Sequence, residues 1–254
     1  METPLAGGNT HASIVRIGDT VRRPTGAWTP GIHALLNHLE LKGFAAAPRA
    51  LGIDDRGREI LSYVEGDVVW PGHTELIADD ESLVDIGHII RCYHDATASF
   101  TNSAFAWSDR GADPSGSREV LCHNDLAAWN LVRAEGRWVF IDWDLAAPGR
   151  RGWDVSWALL SLVPLMPGRL PDDGRVGQRL DAFAKGYGAL PHAVLDVAVE
   201  RCLRETLLIR ERGARGEQPY ARLLAEGHAD IWRDAAEHVR RNAAAWLSNR
   251  HGGA

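Results

Sequence analysis

The sequence predicts an α+β chain of two lobes, a small β-rich N-terminal lobe over residues 1–66 and a larger, mainly helical lobe over residues 67–254. Two patterns carry this. Up to Gly66, short alternating stretches are separated by glycine turns, with one stretch of helical period among them; after Asp79 the apolar residues recur three and four apart. The length of 254 residues, 45% of them hydrophobic, gives each lobe enough material for a core.

The elements follow in order. "GGNTHASIVRIGDTVRRP" reads as a glycine turn, a strand over Ala12 to Ile17, a turn at Gly18-Asp19 and a second strand ending before Pro24. "TPGIHALLNHLELKGF" reads as a helix capped by Thr29, followed by proline and stopping near Gly43. "RALGIDDRGREILSYVEG" gives two strands around the turn Asp54 to Gly57, the second over Glu59 to Val64, before the linker Glu65-Gly66. In "SLVDIGHIIRCYHDATASF", Leu83, Ile86, Ile89, Ile90 and Tyr93 make one helical stripe. Short strands follow around Val120-Leu121, Leu131-Val132 and Trp138 to Ile141, and Asp154 to Trp246 is mainly helix.

Composition excludes several classes. No apolar run is long enough to span a bilayer, and "METPLAGGNT" lacks the basic and apolar regions of a signal peptide, so no membrane partner and a cytoplasmic address are expected. A net charge of −6 without a basic cluster argues against nucleic acid. Cys92, Cys122 and Cys202 lie far apart with no CxxC pairing and read as small buried hydrophobes. The only lysines are Lys42 and Lys185.

Chemistry concentrates in "LCHNDLAAWNLV" and "FIDWD". His123, Asp125 and Asn130 lie where one strand ends and another begins, and Asp142 ends the next hairpin strand. Carboxylate and carboxamide oxygens are the hard ligands Mg²⁺ takes while sharing its shell with phosphates. Phosphoryl transfer also needs a carboxylate that orients an acceptor hydroxyl and takes its proton. Asp125 fits that second role, and Asn130 and Asp142 fit the first. His123 reads as a structural support of the loop. Asp154 reads as a helix cap, Asp144 as either a neighbour of the metal or a solvated turn residue. Trp129, Trp143, Trp153 and Trp157 read as core. Glu200, Glu205 and Glu211 read as an exposed helical face paired with Arg201, Arg204 and Arg210.

The pattern H-x-D-L-x-x-x-N followed by a metal-binding aspartate is that of a kinase catalytic loop. "HNDLAAWNLV", "FIDWDLAAPG" and "WDVSWALL" together resemble the aminoglycoside phosphotransferase family, the small-molecule branch of the protein-kinase-like fold. Ile141-Asp142-Trp143 stands where a protein kinase has aspartate-phenylalanine-glycine. The resemblance implies ATP or GTP as co-substrate, Mg²⁺, and a small-molecule acceptor carrying a hydroxyl. It further implies that Gly7, Gly8 and Asn9 cover the nucleotide and that backbone groups near Ser62 and Val64 meet its base.

The chain departs from the family at the phosphate anchor. A strand lysine there pairs with a helix glutamate, but neither lysine here is on the matching strand. "DTVRRP" offers Arg22, or in the other register Arg23, and the helix positions for the glutamate hold Ile32 or His33. The usual ion pair is therefore expected to be missing. Two readings follow: a phosphotransferase with an altered anchor, favoured because Asp125, Asn130 and Asp142 are all present, or a kinase-like immunity protein that sequesters a ligand or peptide toxin.

Overall fold

The computed structural model describes residues 2–5, 14–100, 104–168, 170, 174–190 and 192–248. The chain divides into two compact units, one of Met1–His73 with Cys92–Arg150 and the other of Thr74–Arg91 with Arg151–Ala254. The architecture is the expected α+β one: among the described residues, antiparallel sheets lie in the first unit and the second is built from helices.

In the first unit, β1 (Thr3–Pro4), β2 (Val15–Ile17), β3 (Thr20–Arg23), β4 (Ala50–Ile53) and β5 (Glu59–Ser62) form a sheet in the order β1-β2-β3-β5-β4. The strands are short because glycines at positive φ, Gly18 at 58° and Gly57 at 73°, turn the chain after a few residues. Helix α1 (Thr29–Leu41) buries Ile32, Leu35, Leu36 and Leu39, the i, i+3, i+4, i+7 set of one face. Thr29, expected as its cap, is its first helical residue; its hydroxyl accepts the Gly26 N–H at 2.9 Å. The segment around Phe105 and Trp107 packs on this helix at Gly31, where a Cβ would come within 3.1 Å of Phe105.

The same unit holds a second sheet of β6 (Asp67–Val68), β8 (Leu131–Ala134) and β9 (Arg137–Phe140) in the order β6-β8-β9. Val132, Ala134 and Val139 form its core, with Val64 and Ile141 packed against them. Strand β7 (Val120–Cys122) pairs with β10 (Ala147–Gly149). Cys122 is buried, whereas Cys92 is exposed on α2 (Asp80–Thr97), so the reading of all three cysteines as buried fails at Cys92.

The second unit contains α3 (Arg151–Leu162), α4 (Val176–Tyr187), α5 (Val194–Ala214), α6 (Tyr220–Ala225) and α7 (His228–Ser248). Gly186 on α4 lets the helix meet α2, since a Cβ there would lie 1.8 Å from the Val84 carbonyl oxygen. Arg201 is buried rather than exposed: its guanidinium lies 4.6 Å from the Trp153 ring and 4.4 Å from the Trp157 ring, and Nη1 donates to the Trp153 carbonyl. Trp157 in turn stacks on Trp232 at 4.9 Å. Asp154 lies within the first turn of α3, fully buried, not at the cap position. Among the described residues, no helix is long and apolar enough to cross a membrane.

Asp113 anchors the end of β10. Its Oδ2 accepts the backbone N–H and Nε of Arg150 at 2.9 and 2.8 Å, and its Oδ1 accepts Nη2 at 2.9 Å. Burial pushes the Asp113 carboxyl up, but the Arg150 fork and backbone donors outweigh it and hold it below the usual carboxylate range. The folded pKa therefore lies below the unfolded one of about 3.9, and the stabilisation is complete above about pH 5 and lost as pH falls through the folded value. Asp113→Asn is expected to cost about 2 kcal/mol at neutral pH and to flatten the acid limb. Urea midpoints of both proteins from pH 7 to pH 3 measure this.

Candidate active site

Strand β7 ends at Cys122, and the chain then runs through a loop and the 3₁₀ turn Ala128–Asn130 into the β8–β9 hairpin. His123, fully buried, fixes this loop. Its Nδ1 accepts the Asp125 N–H at 3.2 Å while its Nε2 lies 3.2 Å from the Ile141 carbonyl oxygen. One nitrogen must accept and the other donate, so the ring is the neutral Nε2–H tautomer. Trp143 packs against the ring at 4.5 Å. Asn124 and Asp142 adopt positive φ of 65° and 61°, which these side chains tolerate better than most. Asn124 holds its turn by donating to the Leu145 carbonyl at 2.9 Å.

Asp125 is partly exposed and its Oδ2 is held by two donors, the Asn130 side-chain amide at 2.7 Å and the Trp129 indole N–H at 3.2 Å. Asn130 Nδ2 also reaches the Asp125 carbonyl at 3.1 Å. Two oxygens on the same amide group require its NH₂ there, so the Asn130 carbonyl oxygen faces away from Asp125. The Ile141 N–H donates to the Asn130 backbone carbonyl at 2.9 Å, which joins the two ends of the hairpin and carries Asp142 beside the loop. Trp129 is half-buried and meets Trp70 edge to face at 6.4 Å; Trp143, Trp153 and Trp157 are core, as expected.

Strand β3 turns Arg22, the arginine preferred as phosphate anchor, and Arg23 to opposite faces. Successive strand side chains point to opposite faces. Arg22 turns to the Thr20 hydroxyl at 2.6 Å and toward Asp54 at 3.6 Å, while Arg23 is buried against the motif. The Arg23 Nε donates to Glu59 Oε2, Nη1 donates to Asp142 Oδ1 at 3.1 Å, and Nη2 lies 2.6 Å from Asp144 Oδ1. A buried ion pair therefore exists where none was expected. Its acid is Glu59, the cross-strand partner of Arg23 on β5 and only 1% exposed, not a residue of α1. The helix contributes His33, whose Nε2 is 2.9 Å from Glu59 Oε1.

The cluster carries a surplus of negative charge. Burial pulls Arg23 toward neutrality, but Asp144, Glu59 and Asp142 outweigh it and raise its pKa. Burial together with Asp142 and Glu59 pushes Asp144 up to about 6, despite the opposing pull of Arg23. Three acids around one guanidinium fit a further cation, and the Asp142 side chain, 42% exposed, offers it an oxygen. Among the described residues, no three of His, Cys, Asp and Glu converge as a metal cage. A Mg²⁺ ion here would complete its shell from Asn130, phosphates and water.

At the expected hinge, Ser62 belongs to the sheet. Its N–H donates to the Arg49 carbonyl at 2.9 Å and its hydroxyl accepts the Arg49 N–H at 2.8 Å, so those groups are already used. Val64 lies beyond the strand against the β8–β9 core. Gly7, Gly8 and Asn9 lie outside the described residues.

The sequence pattern of the phosphotransferase enzyme family matches residues 93–195, which include Asp125, Asn130 and Asp142. Over its whole length the chain superposes on a choline/ethanolamine kinase family protein from Mesorhizobium loti, covering 93% of it with a TM-score of 0.66 at 14% identity. This is the aminoglycoside phosphotransferase fold. The GDP complex of aminoglycoside 2'-phosphotransferase-IIIa shares it with a TM-score of 0.61 at 12% identity, over 93% of this chain and 92% of that one. An amicoumacin kinase in complex with AMP-PNP and Ca²⁺ shares it with a TM-score of 0.64 at 14% identity, over 93% and 88%. The trifolitoxin immunity protein of Rhizobium leguminosarum bv. trifolii is 38% identical over 164 residues, 62% of this chain and 60% of the relative. The match thus spans about 60% of that relative's length.

Within this phosphotransferase fold, the residues that sequence reasoning missed are Glu59 and His33. The alternation of "TVRR" could have separated Arg22 from Arg23, but the Glu59 contact depends on a strand register set 36 residues away. Arg23→Met leaves Glu59 buried and uncompensated and is expected to cost about 3–5 kcal/mol, whereas Arg22→Met costs under about 1 kcal/mol. Chemical denaturation of the two variants distinguishes the two faces of β3 without reference to activity.

Proposed function

We propose that the chain is a Mg²⁺-dependent O-phosphotransferase that moves the γ-phosphate of ATP or GTP to a hydroxyl of a small molecule. The acceptor classes are aminoglycoside-like or other antibiotics, sugars and amino alcohols. In this reading residues 1–66 cover the nucleotide, residues 67–254 carry the catalytic loop and acceptor site, and the protein works in the cytoplasm. The observation that carries it is Asp125, partly exposed and oriented at Oδ2 by Asn130 and Trp129.

In this reading the loop serves to orient. With Oδ2 occupied, Asp125 positions an acceptor hydroxyl and takes its proton as the new oxygen–phosphorus bond forms and the bond to the β-phosphate bridging oxygen breaks. His123, as the neutral tautomer, fixes the Asp125 backbone and takes no proton itself. Arg23 takes the lysine's part at the phosphates, its planar fork replacing a point charge. Mg²⁺ would be held by Asp142 and Asn130, and when bound it neutralises phosphate charge. Val64 would meet the base in the hinge.

A second reading rests on the 38% identity to an immunity protein. There the same fold would sequester a ligand or peptide toxin with little transfer.

Phosphate transfer from ATP and GTP across aminoglycosides, nucleoside antibiotics, sugars and amino alcohols tests the choice. Asp125→Asn is expected to keep nucleotide binding and lose about 10²–10⁴-fold in turnover. Asp125→Asn turning over like the wild type would remove the carboxylate from its assigned role. Asp142→Ala is expected to abolish the Mg²⁺ dependence of nucleotide binding, read by calorimetry with and without the ion; unchanged dependence would place the ion elsewhere.

A further inference from the structure

The Arg23 guanidinium has two edges with different surroundings. Its Nε edge meets Glu59, a neighbour in the same sheet, through the register Arg23↔Glu59. Its Nη1 and Nη2 meet Asp142 and Asp144, side chains that follow β9. Asp142 is 42% exposed and Glu59 is 1% exposed. Water and ligands can reach Asp142 on the Nη edge but not Glu59 on the Nε edge. The Nε edge is thus a fixed mount, and Nη1, whose partner Asp142 is exposed, is the donor that an incoming anion can take over.

The mount is itself held from the helix. Glu59 Oε2 faces Arg23 and Oε1 faces His33 Nε2 at 2.9 Å. Both of these last atoms are buried, and they meet as a close charge contact rather than an aligned hydrogen bond. Leaving either unmatched would cost a buried polar group its solvation. A carboxylate gripped at one oxygen can still turn about its last bond, and a second donor at the other oxygen stops that rotation. His33 also stands at one of the two helix positions where the resemblance led one to expect a glutamate. The acid that meets the guanidinium is thus on the strand, and the helix meets that acid through His33, which joins helix and sheet.

We propose that His33 is a positioning residue for nucleotide phosphates, acting through Glu59 to hold the Arg23 guanidinium with its Nη1 toward the ligand. This rests on the reading of the chain as a nucleotide-using phosphotransferase. A residue that only fills space on α1 would affect all ligands alike, whereas a residue that aims Arg23 affects only ligands with phosphates.

The test is calorimetric binding of Mg-ATP, Mg-ADP and adenosine to the full chain as wild type, His33→Ala and His33→Gln. The glutamine keeps an N–H donor at about the position of Nε2. His33→Ala is expected to weaken ATP and ADP about tenfold, with adenosine unchanged and His33→Gln within about threefold of wild type. His33→Leu, which nearly keeps the volume, serves as the apolar variant if alanine prevents folding. Unchanged ATP affinity in the apolar variant overturns the proposal. So does an equal loss for adenosine, or a glutamine variant as weak as alanine. Where the wild type takes GTP instead, the same comparison is made with Mg-GTP, Mg-GDP and guanosine; a wild type that binds none of these ligands overturns the phosphotransferase reading, and this inference with it.

Discussion

A single buried guanidinium joins the parts of the first unit that carry chemistry. Arg23 bonds Glu59 across the sheet and reaches Asp142 and Asp144 beyond β9. Removing that charge from water is costly, and the three acids repay it only because a planar fork can face several carboxylates at once. From Asp142 the connection continues through covalent chain to Ile141, whose N–H bonds the Asn130 carbonyl, and through the Asn130 amide to Asp125. The position of the carboxylate proposed to meet the acceptor thus depends on a strand residue about one hundred positions earlier.

Replacing lysine by arginine changes more than the cation. An ammonium offers a compact point charge, whereas the guanidinium separates its donors onto distinct edges. One edge can be committed to the sheet while the others meet the mobile chemistry. The acid then belongs on the neighbouring strand, where cross-strand register delivers it, and the helix needs only a donor. Arg23, Glu59 and His33 thus form one connected set of contacts from sheet to helix.

The fold leaves the acceptor open, because such folds host many functions and chemistry resides in the site. The solved structures that share it include choline/ethanolamine and antibiotic kinases, at identities near 14% that carry only the fold. The immunity protein shares more sequence over a shorter span. In the site itself, two side-chain donors, the Asn130 amide and the Trp129 indole, orient Asp125.

The sequence by itself determined the α+β class and the catalytic-loop pattern, because these rest on local period and short spacing. It also determined a structural part for His123, whose contacts lie within the loop and the hairpin that follows it. Tertiary structure decided which arginine faces the motif, since that depends on strand phase, and it decided that Glu59 supplies the acid, since cross-strand register has no local signature. It likewise turned Arg201, read as an exposed helical charge, into a buried cation between two tryptophans. Local chemistry is written in neighbouring residues, whereas the pairing of buried charges is settled only when distant segments must satisfy one another out of water.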